Sequence, residues 1–252
     1  LANSRILWAG RTLHGVDHFG RWRVLRGQFE GWDDSPGIRG ENVPRPDYDG
    51  DYDLPIYNEA RMLTVGGVLE SQNRQLLISG GDALKSRMAG RFQVENAMGV
   101  RWAEGKRNSA VKFVVVNNNL ATWQARIKCV DPRKFGDTNT KTASVGANAT
   151  NISHRGNYNA TPQFVVDGSM PGGYILTFRG QIFTVTQPLV SGQPHDIDYN
   201  DGRLRIGGSI IHGGVGYGFT PLVPPGVSTA LSIVPRTTGA ANATVRLLDT
   251  YI

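Results

Sequence analysis

Apolar and polar side chains alternate along much of this chain. Between residues 121 and 130, Trp123, Ala125, Ile127 and Cys129 fall on one face, and Gln124, Arg126 and Lys128 on the other. That period of two is the signature of a half-buried strand. The segments 21–25, 62–65, 75–78 and 110–116 are rich in β-branched and apolar residues and also read as strands. Asn117-Asn118-Asn119 separates two of the strongest and reads as a hairpin turn, because Asn tolerates left-handed backbone angles. One stretch departs from the pattern. Asp82 is placed to cap a helix beginning at Ala83, along which Leu84, Met88 and Phe92 recur every four residues, until Gly90 weakens its end.

Residues 32–60 show no periodicity. Gly31-Trp32-Asp33-Asp34-Ser35-Pro36-Gly37 is turn chemistry, and Pro44, Pro46 and Pro55 interrupt any ladder. A loop of this length in a compact domain is usually functional or ordered by a neighbour. The expectation here is a loop that docks onto another subunit. A composition shift follows Asp131-Pro132-Arg133-Lys134-Phe135-Gly136, and residues 137–149 are small, polar and aperiodic. The expected boundary therefore separates domains 1–138 and 139–252. Beyond it, short strands recur at 163–166, 174–178, 181–185, 196–199, 203–206, 228–234 and 243–248, with Asn200-Asp201-Gly202 as a hairpin turn. Regular short strands with Gly, Pro and Asn turns suggest a β-sandwich.

Composition fits this picture. Charged residues are 19% and hydrophobic ones 39%, with 32 Gly and 13 Pro, which indicates many strands joined by turns and not disorder. All five tryptophans (Trp8, Trp22, Trp32, Trp102, Trp123) lie in the first half. The second half thus lacks the residue most favoured for stacking on a sugar ring. Net charge is +6 and is spread along both halves, without the dense basic face of a dedicated DNA reader. The single Cys129 excludes an intrachain disulfide and reads as a small buried strand residue. No apolar run reaches the ~18 residues of a membrane span, and no secretory signal is visible at the N-terminus.

Motifs that would carry chemistry fail on spacing. Asp47, Asp49, Asp51 and Asp53 suggest a calcium loop, but the sixth and twelfth positions hold Tyr52 and Asn58 in one register and Leu54 and Ala60 in the other. His14 and His18 would share a helix face, yet flanking glycines argue for a turn, and no Cys or acidic partner completes a zinc pattern. His195 beside Asp196 and Asp198 suggests acid–base chemistry, but adjacent strand residues face opposite ways, so a strand edge is the simpler reading. There is no Gly-x-Ser-x-Gly elbow, and Gly213, Gly214, Gly216 and Gly218 miss the dinucleotide-binding spacing. Sequons at Asn148, Asn151, Asn159 and Asn242 arise readily in so Asn/Thr-rich a chain. The expectation is no enzyme, no metal and no cofactor.

Three ordered segments carry a resemblance. The first is Gly31-Trp32-Asp33-Asp34-Ser35-Pro36, then Ile38-Arg39-Gly40-Glu41 and Arg45-Pro46-Asp47-Tyr48-Asp49-Gly50. The second is Glu59-Ala60-Arg61-Met62-Leu63-Thr64-Val65-Gly66-Gly67, with Asp131-Pro132 closing a later strand. The third runs from Gly156 to Gly168, followed by Asp196-Ile197-Asp198, Arg203 and Pro224-Pro225-Gly226-Val227-Ser228. Together they resemble the distal tail (Dit) proteins of phages with long non-contractile tails, often called minor tail proteins. The resemblance implies a mainly β protein: an N-terminal tail-tube-like β-barrel or sandwich with one short helix, and a C-terminal galectin-like β-sandwich. It implies a virion protein made in the host cytoplasm, a homo-hexameric ring at the tail tip that joins the tail tube protein to a hub or spike protein, and a channel that passes phage DNA without sequence-specific contact. No membrane anchor and no catalytic residues are implied. The loop carrying Arg39, Glu41, Arg45, Asp47, Asp49, Asp51 and Asp53, together with Arg61, is the expected inter-subunit contact. The alternative function is a carbohydrate- or host-receptor-binding sandwich.

Overall fold

The computed structural model describes residues 4–198, 200–215 and 221–252. Tyr199, Gly216 and Gly218, which entered the sequence reading, lie outside them. The chain is mainly β with one helix among the described residues, as expected, and it divides into two compact units, Leu1–Lys134 with Ile252, and Phe135–Tyr251.

The first unit contains β1 (Arg5–Trp8), β2 (Arg11–Asp17), β3 (Gly20–Glu30), β4 (Ile38–Arg39), β5 (Tyr57–Asn58), β6 (Arg61–Glu70), α1 (Arg74–Lys85), β7 (Ala89–Asn96), β8 (Gly99–Arg107), β9 (Lys112–Val115) and β10 (Leu120–Cys129). Strands pair in the order β8-β7-β1-β2-β3-β6-β10, and β10 returns to β8 through Ile127 opposite Arg107 and Lys128 opposite Lys106. The sheet therefore closes on itself as a barrel, which leaves no open edge around the ring of strands. The inward face of β10 is the predicted one, with Trp123, Ala125, Ile127 and Cys129 buried. Trp22 meets Trp123 edge-on at 5.7 Å. Four of the five tryptophans are interior residues. The turn at 117–119 is also as expected: the Asn119 amide donates to the Asn117 side chain at 2.9 Å, and the Val116 amide to the Leu120 carbonyl at 2.9 Å.

The helix is displaced from the expected one. It occupies Arg74–Lys85, capped by Asn73, whose side chain accepts the Leu76 amide at 3.0 Å. Gln75–Ile78 is thus helical, while Ala89–Asn96, with Phe92 and Val94 buried two residues apart, is a strand. Met88 is exposed. The physical reason lies in the buried stripe of α1, which is Leu77, Gly80, Gly81 and Leu84. A Cβ on Gly80 would come within 2.8 Å of the Leu69 side chain, and one on Gly81 within 2.7 Å of the Phe113 ring. The two glycines are the contact surface, so a reading that scores glycine as a helix breaker shifts the helix downstream. His14 lies on β2 and not on a helix; its Nδ1 accepts the Val24 amide at 3.1 Å.

The second unit contains β11 (Lys134–Ser144, its first residue belonging to the first unit), β12 (Thr150–Ile152), β13 (Pro162–Ser169), β14 (Tyr174–Phe178), β15 (Gln181–Val185), β16 (His195–Asp198), β17 (Arg203–Ile206), β18 (Ser209–Ile211), β19 (Thr229–Pro235) and β20 (Ala240–Tyr251). One sheet runs β18-β17-β16-β13-β20-β11 and the other β12-β19-β14-β15. Phe164, Phe178, Phe183 and Tyr174 are buried between them, the sandwich core expected from sequence, and Phe164 meets Phe178 edge-on at 5.0 Å. Two expectations fail here. The aperiodic stretch 137–149 is mostly the long strand β11, whose Asn139, Thr142 and Ser144 bond across to β20 in place of an apolar alternation. Asp196 and Asp198 are not on a sheet edge, because β16 pairs with β13 on one side and β17 on the other.

Replacing Phe164 by Ala should destabilise the protein by about 3–5 kcal/mol in urea unfolding, the cost of an aromatic-sized core cavity. Ile182→Ala, on an exposed face of the same unit, should cost less than about 1 kcal/mol.

Candidate assembly site

The chain leaves the barrel at the end of β3 and returns at Arg61. The excursion between them is a narrow two-stranded arm. Ile38 pairs with Asn58 and Arg39 with Tyr57 at its base. Pro44 bridges Asp51 further out, where the Tyr52 amide donates to the Val43 carbonyl at 2.9 Å and the Arg45 amide to the Gly50 carbonyl at 3.0 Å. Gly50 turns the tip with φ of +86°, which favours glycine. The prolines and glycines that break periodicity in this segment hold the arm to these few rungs. Every residue from 37 to 57 is exposed.

The arm's root is fixed by two buried cations. Arg61 opens β6 and is 1% exposed. Its Nη1 donates to the carbonyls of Gly31 at 2.7 Å, Asp34 at 2.6 Å and Trp32 at 3.3 Å, and its Nε to the Pro132 carbonyl at 2.9 Å. Lys134 Nζ donates to the Trp32 carbonyl at 2.8 Å. Between these bonds the Trp32 ring packs on Phe92 at 5.3 Å, inside the barrel core. A buried charge is tolerated when oxygens surround it, and here main-chain carbonyls supply them. Gly31 marks the exit: its φ is +83°, and a Cβ there would sit 1.9 Å from the Met62 carbonyl oxygen. Burial lowers the Arg61 pKa, and burial followed by the Arg61 charge brings Lys134 down to about 8. Burial also raises the neighbouring Cys129 thiol to about 11, which keeps it protonated and poorly nucleophilic.

The structure distributes the expected contact residues unevenly. Arg39, Glu41, Arg45, Asp47, Asp49, Asp51 and Asp53 all lie on the exposed arm. Arg61 is placed apart from them: it is buried in its own chain and holds the arm's root, its donors taken up by the carbonyls of Gly31, Trp32, Asp34 and Pro132. The two arm arginines stack on arm tyrosines, Arg39 over Tyr57 and Arg45 over Tyr52, each at 5.8 Å. None of the arm's five carboxylates is in an ion pair with a described residue. Sequence reasoning missed the arm's apolar side chains. Ile38, Tyr48, Tyr52, Ile56 and Tyr57 are each more than half exposed. Their clustering in a Pro-rich segment was the available signal.

His195, weighed for acid–base chemistry, lies in the packed interior of the second unit, while Asp196 and Asp198 are partly exposed. His195 is buried, its ring 3.2 Å from the Tyr174 hydroxyl, and burial lowers its pKa. Among the described residues no His, Cys, Asp and Glu cluster could hold a metal ion, and no helix is long and apolar enough to cross a membrane.

No family model and no curated protein matches the sequence. Solved structures do match the fold. The crystal structure of SPP1 Dit (gp 19.1), described as a paradigm of the hub adsorption apparatus in phages that infect Gram-positive bacteria, superposes with a TM-score of 0.73 at 13% identity and covers 99% of both chains. This chain has the fold of a phage distal tail protein. A chain of the activated, calcium-containing phage P2 baseplate matches more distantly, with a TM-score of 0.50 at 7% identity, over 96% of this chain and 97% of that one. The Dit-like fold is thus retained end to end while nearly all residue identities differ.

Arg61→Met should destabilise the barrel by about 3–5 kcal/mol, because it leaves several buried carbonyls without a donor. Limited proteolysis should then cut near residues 31–36 much faster than in the wild type. Lys134 gives a pH test. Its folded pKa of about 8 lies below the ordinary lysine value. Between the two, the unfolded chain binds a proton that the folded chain has lost, so this residue's contribution to stability rises with pH through that window. Urea unfolding of wild type and Lys134→Met at about pH 7.5 and about pH 9.5 should show the difference between them shift in favour of the wild type at the higher pH.

Proposed function

We propose that this protein is a structural component of the distal end of a phage tail, and that six copies close into a ring between the tail tube protein and a hub or spike protein. The observation that carries this reading is the superposition on SPP1 Dit over 99% of both chains. A fold retained from end to end at 13% identity is one whose shape is the constrained property.

The arm supports the ring. It exposes aromatic and aliphatic side chains that no core of its own chain covers, as expected of a segment that becomes buried on assembly. It holds five carboxylates against two arginines, on a chain whose net charge is +6. A second copy of the chain is therefore an electrostatically complementary partner. Docking each arm on the next copy is a heterologous contact, and such contacts give rings when the rotation closes. DNA would pass through the channel by weak phosphate contacts without base readout. In this reading the protein sits in the virion and has no catalytic task.

In sedimentation velocity the purified chain should form a discrete six-copy species. Replacing residues 38–57 by a short Gly-Ser linker should leave a folded monomer whose melting temperature lies within about 5 °C of the wild type. A linker variant that still forms the ring, or a wild type that stays monomeric at every concentration and in the presence of the tail tube protein, would contradict the proposal.

A further inference from the structure

The second unit carries a groove of about 410 Å3 on the outer face of its larger sheet. This lies within the ~300–1,000 Å3 usual for small-ligand sites. Period-two alternation builds it. Phe164, Ile197, Val245 and Leu247 point into the sandwich core, so their neighbours Gln163, Asp198, Arg246 and Leu248 line the opposite face. In the ladders Gln163 stands opposite Arg246 on β20 and opposite Asp198 on β16. A guanidinium, an amide and a carboxylate therefore form one row across three strands.

Gln163 and Asp198 are held in place and yet partly unused. Asp198 Oδ1 accepts the Asn200 amide at 2.8 Å and the Asn200 side-chain Nδ2 at 2.9 Å, which leaves Oδ2 without a hydrogen bond among the described residues. Gln163 Nε2 donates to Asp196 at 3.1 Å, and its Oε1 has no hydrogen bond among the described residues. Arg246 has no hydrogen-bond or ion-pair partner among the described residues. Thr140 adds a hydroxyl that can donate or accept, and Leu248 a small apolar patch.

We propose that this groove binds a neutral saccharide. The row offers the Arg246 guanidinium as donor at one end and the open oxygens of Gln163 and Asp198 as acceptors beyond it, which suits vicinal hydroxyls, each of which both donates and accepts. An anion is disfavoured, because Asp198 and Asp196 offset the single arginine. An apolar ligand would leave the whole row unpaired. Leu248 can take the C–H face of a ring. The groove offers no tryptophan, so each site binds weakly, and hydrogen-bond geometry selects among sugars. The inference does not depend on ring formation, since every residue involved lies in the second unit.

The test is saturation-transfer NMR with titration on the full chain, using the methyl glycosides of glucose, galactose, mannose and N-acetylglucosamine, with inorganic phosphate as the anionic probe. At least one glycoside should bind saturably without competition from phosphate. Arg246→Met and Asp198→Asn should each weaken it about tenfold or more, the loss of one charge-assisted contact. Thr140→Val should weaken it severalfold, and all three should melt with the wild type. Failure of every glycoside to bind, binding indifferent to all three variants, or binding of phosphate alone would overturn the proposal.

Discussion

A buried guanidinium organises the first unit. Arg61 lies where β6 begins and takes carbonyl oxygens from both sides of the gap the chain must cross: Gly31, Trp32 and Asp34 where the arm departs, and Pro132 beyond β10. A closed barrel satisfies its own ladders, but a chain that leaves and re-enters it exposes main-chain carbonyls at the breach. Arg61, with Lys134 beside it, supplies the missing donors from within. The arm can then be long, exposed and sparsely bonded without loosening the barrel, because its root ends at Trp32, which is locked into the core.

The consequence for function is a division of labour. Rigidity resides in the barrel and in the sandwich, each with its own apolar cluster. On the proposed reading, contact chemistry resides on surfaces these scaffolds hold out: the arm on one unit and the polar groove on the other. The arm is acidic and apolar, suited to a protein surface of opposite charge. The groove is polar and close to neutral, suited to hydroxyls. Neither needs a reactive group, and Cys129 and His195, the side chains most open to a chemical reading, are buried.

Strand positions were legible wherever burial is one-sided. The inward face of β10, the extents of β14, β15 and β17, and the aromatic core of the sandwich all follow from alternation. The helix was misplaced because its packing face is made of Gly80 and Gly81, which carry no hydrophobic signal. β11 was missed because polar cross-strand bonds such as Thr142 to Thr244 and Ser144 to Asn242 hold it, in place of an apolar stripe. In the candidate site, the exposed loop and its acids were visible from composition. The inward turn of Arg61 was not, since its partners are main-chain carbonyls, which look alike in any sequence. The groove was invisible for a related reason: it exists only when register aligns residues from four separated strands.

In the proposed ring the arm is an assembly element seated on a neighbouring copy of this chain. Cryo-electron microscopy of the assembled protein would reveal that seat. The expected image is a closed six-fold ring in which residues 38–57 of each copy lie against the next, with Tyr48 and Ile56 covered and the acidic tip facing basic side chains. A ring in which the arm projects into solvent or folds back on its own barrel would contradict it.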